Sequence, residues 1–119
     1  SRTGSDTKVT LQFYGTEKGI DLNQQVTMYR IMQELINNAI KHAKASEILV
    51  QFIRDNNKVD ITVEDNGIGF ENEDRSSKVK GMGISNLKTR VAYLNGKLEF
   101  HSEMNEGTTA NVQINLDAT

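Results

Sequence analysis

From Asn23 to Ala45 the chain runs twenty-three residues without a glycine or a proline. Placed at about 100° per residue, Met28, Tyr29, Met32, Leu35, Ile36, Ala39, Ile40 and Ala43 fall on one broad apolar face. Thr27, Arg30, Glu34, Asn38 and Lys41 share the opposite face. A helix this amphipathic gains most of its stability by covering an apolar surface. The remaining segments offer that surface as strands.

Lys8 to Tyr14 alternates, with Val9, Leu11 and Phe13 on one side, as a half-buried strand does. Glu47 to Arg54 and Lys58 to Glu64 flank Asp55-Asn56-Asn57, a turn signal, and read as a hairpin with Val59, Ile61 and Val63 inward. Asp65-Asn66-Gly67-Ile68-Gly69-Phe70 closes it as a tight loop. Glu71 to Lys80 is charged and aperiodic and reads as a mobile loop. Ile84 to Leu94 is a second amphipathic helix through Ile84, Leu87, Val91 and Leu94, ended by Asn95-Gly96. Leu98 to His101 and Thr108 to Leu116 are the last strands, joined around Asn105-Glu106-Gly107.

Hairpins adjacent in sequence predict a mixed, mainly antiparallel sheet with both helices on one face, a two-layer α+β sandwich. The 119 residues suffice for one such domain. Ser1 to Thr7 is polar and reads as a tail, leaving 8–119 as the domain.

Composition removes several function classes. A formal net charge of −2 predicts no nucleic-acid partner. With no cysteine there is no disulfide framework, thiolate metal site or cysteine nucleophile. No apolar run approaches the roughly 20 residues of a membrane span, so no direct membrane contact is expected. His42 and His101 lack metal-ligand partners at useful spacing. There is no P-loop, and Gly81-Met82-Gly83-Ile84-Ser85-Asn86 lacks the third glycine of a dinucleotide fingerprint.

Four features remain. Glu34, Asn38 and Lys41 project from one helical stripe at i, i+4 and i+7. A carboxylate, a neutral amide oxygen suited to hydrated magnesium, and a point cation for phosphate can together serve a metal nucleotide; the same stripe is also what a solvated helix face looks like. Asp65 before Gly67 and Gly69 can accept a bond from an exocyclic amine while the glycines let backbone approach a flat ring, or can simply end a strand. Gly81-Met82-Gly83 before a helix offers free backbone N–H groups to phosphate. Thr108, in Gly107-Thr108-Thr109, could share the amine contact with Asp65.

In order and spacing these segments resemble the ATP-binding catalytic domain of sensor histidine kinases, a group that shares a superfamily with DNA gyrase, a heat-shock chaperone and mismatch-repair ATPases. Gln33 to Ala43 is similar to the family's N box, Asp65 to Phe70 to its first glycine box, Gly81 to Val91 to its second, and Gly107-Thr108-Thr109 to its final G-T element. The wording of the N box is most similar to the nitrate-sensor and thermosensor type.

The resemblance implies a Bergerat sandwich that binds ATP and Mg2+. Asp65 would take the adenine amine, with Thr108 in the same water network. Asn38 would coordinate magnesium, Glu34 would act as the catalytic carboxylate, and Lys41 would touch phosphate. His42 would lie where relatives carry an aromatic ring. Gly67, Ile68 and Gly69 would line the base pocket. Lys80, Gly81, Met82, Gly83 and Ile84 would cover the phosphates, with Glu71 to Lys80 as the lid.

It also implies a cytoplasmic enzyme donating the γ-phosphate to a histidine on a dimerisation domain. That segment has no counterpart in this sequence. The chain is therefore expected to be monomeric and to bind ATP without autophosphorylating, with a response regulator downstream. Rival readings are a stand-alone anti-sigma-type serine kinase and a non-catalytic ATP-binding module.

Overall fold

The computed structural model describes residues 6–42, 44–68 and 84–116. In chain order the elements are β1 (Lys8–Tyr14), α1 (Leu22–His42), β2 (Glu47–Asp55), β3 (Lys58–Asp65), α2 (Ile84–Tyr93), β4 (Gly96–Glu103) and β5 (Gly107–Asn115). The strands form one five-stranded sheet in the order β1-β2-β3-β5-β4. β1 runs parallel to β2, and every other pair is antiparallel. The parallel pair follows from α1, which carries the chain back to begin β2 beside the start of β1. This is the mixed two-layer sandwich the sequence predicts.

Alternation does the positioning. Val59, Ile61, Val63 and Asp65 of β3 point to the same face, as do Thr108, Ala110, Val112 and Ile114 of β5, and all eight are buried. Met28, Ile31, Met32, Leu35 and Ala39 of α1 and Leu87 and Val91 of α2 close over that face. A side chain buried as fully as Ile31, Ile61 or Leu87 contributes about 1.5–3 kcal/mol.

Two expectations are corrected by this packing. On α1 the buried stripe is centred nearer Ile31, which is wholly buried, than the sequence reading has it, and Tyr29 is 43% exposed. Tyr29 instead sends its hydroxyl to the Glu17 carboxylate. The helix is thus rotated so that Glu34 and Asn38 flank the core rather than face away from it. On β1 only Val9 is buried, while Leu11 and Phe13 are about half exposed. The reason is that α1 lies over β2 and β3 and does not extend over the edge strand. Phe13 keeps one aromatic neighbour, Phe52, with ring centroids 5.5 Å apart.

Thr7, counted with the tail in the sequence, is buried, and its hydroxyl donates to the Ala45 carbonyl at 3.0 Å. Among the described residues no helix is long and apolar enough to cross a membrane.

Candidate functional site

The inward alternation of β3 ends on a carboxylate. Asp65 occupies the place where another valine would continue the core, and it is only 8% exposed. Burial raises its pKa above the ordinary aspartate value, and the backbone N–H groups of Gly67 and Thr108 oppose that shift by bonding to the charged form. The Gly67 N–H donates to Asp65 Oδ1 at 2.8 Å, so the loop after the strand turns around the carboxylate itself.

That loop is pinned from outside by Asn66, which the sequence reading left without a role. Asn66 Oδ1 accepts the N–H groups of Ser46 and Glu47 at 3.0 and 2.9 Å, and its amide donates to Ser46 Oγ at 2.9 Å. Both partners lie where α1 hands over to β2. The amide therefore ties the Asp65 loop to the join between α1 and β2.

Across the sheet, Asp65 is in register with Thr108, the second residue of β5. Gly107 makes that approach possible. It sits at φ +93°, and a Cβ built there would lie 2.0 Å from the Asp65 carbonyl oxygen. Thr108 Oγ1 lies 2.9 Å from Ser102 Oγ on β4, and Ser102 Oγ donates to the Gly107 carbonyl at 3.2 Å. A carbonyl can only accept, so this bond uses the single Ser102 proton, and Thr108 must donate to Ser102. The Thr108 oxygen then keeps acceptor capacity in the strand position beside the Asp65 carboxylate. Two acceptors side by side select a ligand group rich in N–H.

These residues share a small cavity of about 20 Å3, lined by Leu35, Asn38, Ala39, Val63, Asp65, Phe100, Thr108 and Ala110. Its walls are largely apolar, and Asp65, Thr108 and Asn38 supply the polar contacts. Asn38 Nδ2 is buried and has no hydrogen-bond partner among the described residues. The unpaired group is the NH2 donor, whose burial costs free energy that an acceptor such as a phosphate oxygen or a water would recover, leaving the carbonyl oxygen for a cation. Phe100 and Ser102 were missed in the sequence. They follow from β4 register, since Phe100 pairs with Ala110 and Ser102 with Thr108.

The structure thus brings Asn38, Asp65 and Thr108 together, with Gly67 bonded at the edge. Glu34 lies one turn before Asn38 on the same stripe and accepts from Arg90 Nη1 of α2. Lys41 is exposed on the next turn, and Ile68 is 38% exposed beside the loop. His42 and Ile84 have their backbones in α1 and α2, but their side chains lie outside the described residues, as do Gly69, Lys80, Gly81, Met82 and Gly83 and the whole Glu71 to Lys80 loop. No cluster of three or more metal-binding side chains exists among the described residues. A magnesium ion held chiefly by phosphates and water, with one amide oxygen added, does not need one.

Comparison with known proteins places the chain in a family. The profile of the histidine kinase-, DNA gyrase B- and HSP90-like ATPases matches residues 23–118, which span α1 and every later element. The chain belongs to this family. It is 37% identical over 97 residues to the sensor histidine kinase ComP of Bacillus subtilis, covering 82% of this chain and 13% of that protein. It is 36% identical over 109 residues to the sensor histidine kinase MctS of Rhizobium johnstonii, covering 91% of this chain and 23% of that protein. This chain therefore spans less than a quarter of either relative. The blue-light activated histidine kinase of Erythrobacter litoralis EL346 superposes with a TM-score of 0.80 over 93% of this chain and 36% of its own, at 20% identity, and so shares the fold.

If the Asp65 carboxylate is the acceptor for the adenine amine, ATP binding has an acid limit. Protonation removes an acceptor from the carboxylate, so ATP affinity should fall as pH drops through a midpoint above aspartate's ordinary 3.8. For folding alone the sign is opposite. A raised acid pKa means the folded state holds the proton more tightly, so this group's contribution to stability declines as pH rises from the unfolded value through the folded one. Calorimetric ATP titrations across pH 4 to 8, about the range in which such groups titrate, check the first statement; an affinity that is flat or rises on acidification would contradict it.

Proposed function

We propose that this domain binds magnesium-ATP and donates the γ-phosphate to a histidine on a separate dimerisation domain of a two-component sensor kinase. The single observation that carries the reading is the cavity in which Asp65, Thr108 and Asn38 converge. The sensor histidine kinases among its relatives support it. The N box further suggests the nitrate-sensor and thermosensor type, and a response regulator would receive the phosphoryl group. A domain that uses cellular ATP would work in the cytoplasm.

In this reading the Asp65 carboxylate and the Thr108 hydroxyl accept from the adenine amine, directly and through water. Phe100, Leu35 and Val63 line the cavity, whose volume of about 20 Å3 holds about one water, so the ring would lie at its mouth with that water bridging to Asp65. Asn38 would hold magnesium, which supplies charge neutralisation on the phosphates. Lys41 adds a point charge toward them. Glu34 accepts a proton from the incoming imidazole. One ring nitrogen uses its lone pair to form the N–P bond, the bond from γ-phosphorus to the bridging oxygen breaks, and its electrons leave with ADP. The N–H proton of the imidazole passes to Glu34 and then to solvent. Positioning and charge neutralisation do most of the work in such a transfer.

The test is transfer of labelled phosphate to a separately produced phosphoacceptor domain of the same kinase. The intact chain should label it at the histidine, and no labelling at any acceptor concentration would reject the proposal. Asn38→Ala should retain ATP binding through Asp65 but lose its magnesium dependence and slow transfer about a hundredfold, the scale of one lost transition-state contact. A magnesium titration unchanged by the substitution would remove Asn38 from that role.

A further inference from the structure

Arg90 has no role in the reading above, yet it binds Glu34, the carboxylate to which that reading gives the proton transfer. We infer that Arg90 is a positioning residue that holds Glu34 for proton transfer, which rests on the proposed kinase function.

Both ends of the pair are fixed from behind. Glu34 lies between Ile31 and Leu35 on α1, which are 0% and 3% exposed. Arg90 sits one turn after Leu87 and next to Val91 on α2, at 0% and 3%. Neither helix can turn without breaking the core, so Arg90 Nη1 reaches Glu34 Oε1 from a fixed direction. Arg90 is also in the last turn of α2, where a cation suits the helix end.

The pair is poorly placed to serve as a stability device. Its side chains are 30% and 33% exposed, and ion pairs at such exposure contribute little to folding. It is well placed to orient. A free glutamate on a helix surface samples several rotamers, whereas one whose Oε1 is engaged by a guanidinium keeps Oε2 aimed in one direction. Glu34 stands one turn from Asn38 and two from Lys41, so it adds a negative charge beside the stripe assigned to phosphates. Arg90 offsets that charge without entering the cavity, whose lining includes neither Arg90 nor Glu34.

The step it serves is the one written above: the imidazole gains phosphorus, ADP takes the bond electrons, and the ring proton goes to Oε2 of Glu34. Arg90 touches none of the reacting atoms and acts only through Glu34.

The kinase carrying this domain, with Arg90→Ala, Arg90→Lys, Glu34→Gln and the Arg90→Ala/Glu34→Gln double variant, provides the test through initial rates of histidine phosphorylation. A general base contributes about a hundredfold or more, so loss of its orientation should lower kcat about tenfold in Arg90→Ala. KM for ATP should change less than about twofold, because adenine and phosphate contacts remain. Arg90→Lys should recover part of kcat, and keeps the test alive should the alanine variant misfold. In the Glu34→Gln background Arg90→Ala should cost nothing further, since the two act as one unit. An unchanged kcat in Arg90→Ala, or the same fractional loss with and without Glu34, overturns the inference. A brace that only joins the helices would lower the melting temperature and leave the kcat-to-KM split untouched. If the unsubstituted kinase phosphorylates no histidine, the function itself fails and this inference falls with it, an outcome distinct from a normal parent with an indifferent Arg90.

Discussion

Asp65→Asn should weaken ATP binding by about 10- to 100-fold while leaving the domain folded. A hydrogen bond to a charged acceptor is worth about 1.5–3 kcal/mol, and the substituted amide adds a donor where the adenine amine is itself a donor. The fold should tolerate the change. Burial already disfavours the charge on Asp65, so removing it relieves a cost at neutral pH. The Asn oxygen can still accept the Gly67 N–H that Oδ1 accepts now, and the Thr108 N–H, which also bonds the carboxylate, has to share that oxygen at a cost of about 1 kcal/mol. Isothermal calorimetry with ATP, alongside a thermal melt, separates the two effects. Unaltered affinity would take the amine contact away from Asp65, and a collapsed melting temperature would show the residue to be structural.

The second large effect is expected at Gly107, which has no side chain to offer a ligand. Gly107→Ala puts a methyl group 2.0 Å from the Asp65 carbonyl oxygen and 3.0 Å from its carbon, at a φ of +93° that side chains rarely adopt. Backbone strain and overpacking each cost about 1–3 kcal/mol, so the sum should be about 2–6 kcal/mol. Against a total stability of about 5–15 kcal/mol, that is a substantial share. The melting temperature should fall by about 10 °C or more. β5 must move away from β3, so Thr108 separates from Asp65 and ATP affinity should drop as well. Urea denaturation of the variant measures the first part; a loss below about 1 kcal/mol, the size of an ordinary surface change, would mean the strands adjust freely and the close approach is not required.

The strands were legible because their alternation is local. Val59, Ile61 and Val63 announce a buried face, and the structure extends that same face by one step to Asp65. The hairpin turn at Asn56 was equally plain, since asparagine tolerates the left-handed conformation it adopts, φ 55°. The rotation of α1 was not. Apolar residues cover so much of the helix that the wheel alone leaves its centre loose, and only the surfaces of the sheet and α2 choose Ile31 over Tyr29. The exposure of Leu11 and Phe13 has a similar origin, because whether an alternating strand is covered depends on where a distant helix ends.

The site divides along the same line. Asp65, Asn38 and Thr108 could be singled out as chemistry-bearing residues at turn and helix positions. Their convergence in one cavity depends on register, Asp65 against Thr108 in β5 and β3 beneath α1. Ser102 and Phe100 carried no motif, and Asn66 lay inside the first glycine box without a role, since a serine, a phenylalanine and a turn asparagine are common in any strand or loop. What gives them roles is the partner that pairing brings opposite: Thr108 for Ser102, Ala110 for Phe100, and the Ser46-Glu47 backbone for Asn66. Arg90 was hidden for the same reason, since its partner Glu34 is on the other helix.

A crystal structure of the domain grown with magnesium and a non-hydrolysable ATP analogue tests the central claim most directly. The adenine amine should lie within hydrogen-bonding distance, about 2.7–3.2 Å, of Asp65 or of a water bridging Asp65 and Thr108, with the metal on the Asn38 side of the same ligand. A nucleotide seated elsewhere on the molecule, or one whose base and metal do not run from Asp65 to Asn38, would contradict the account.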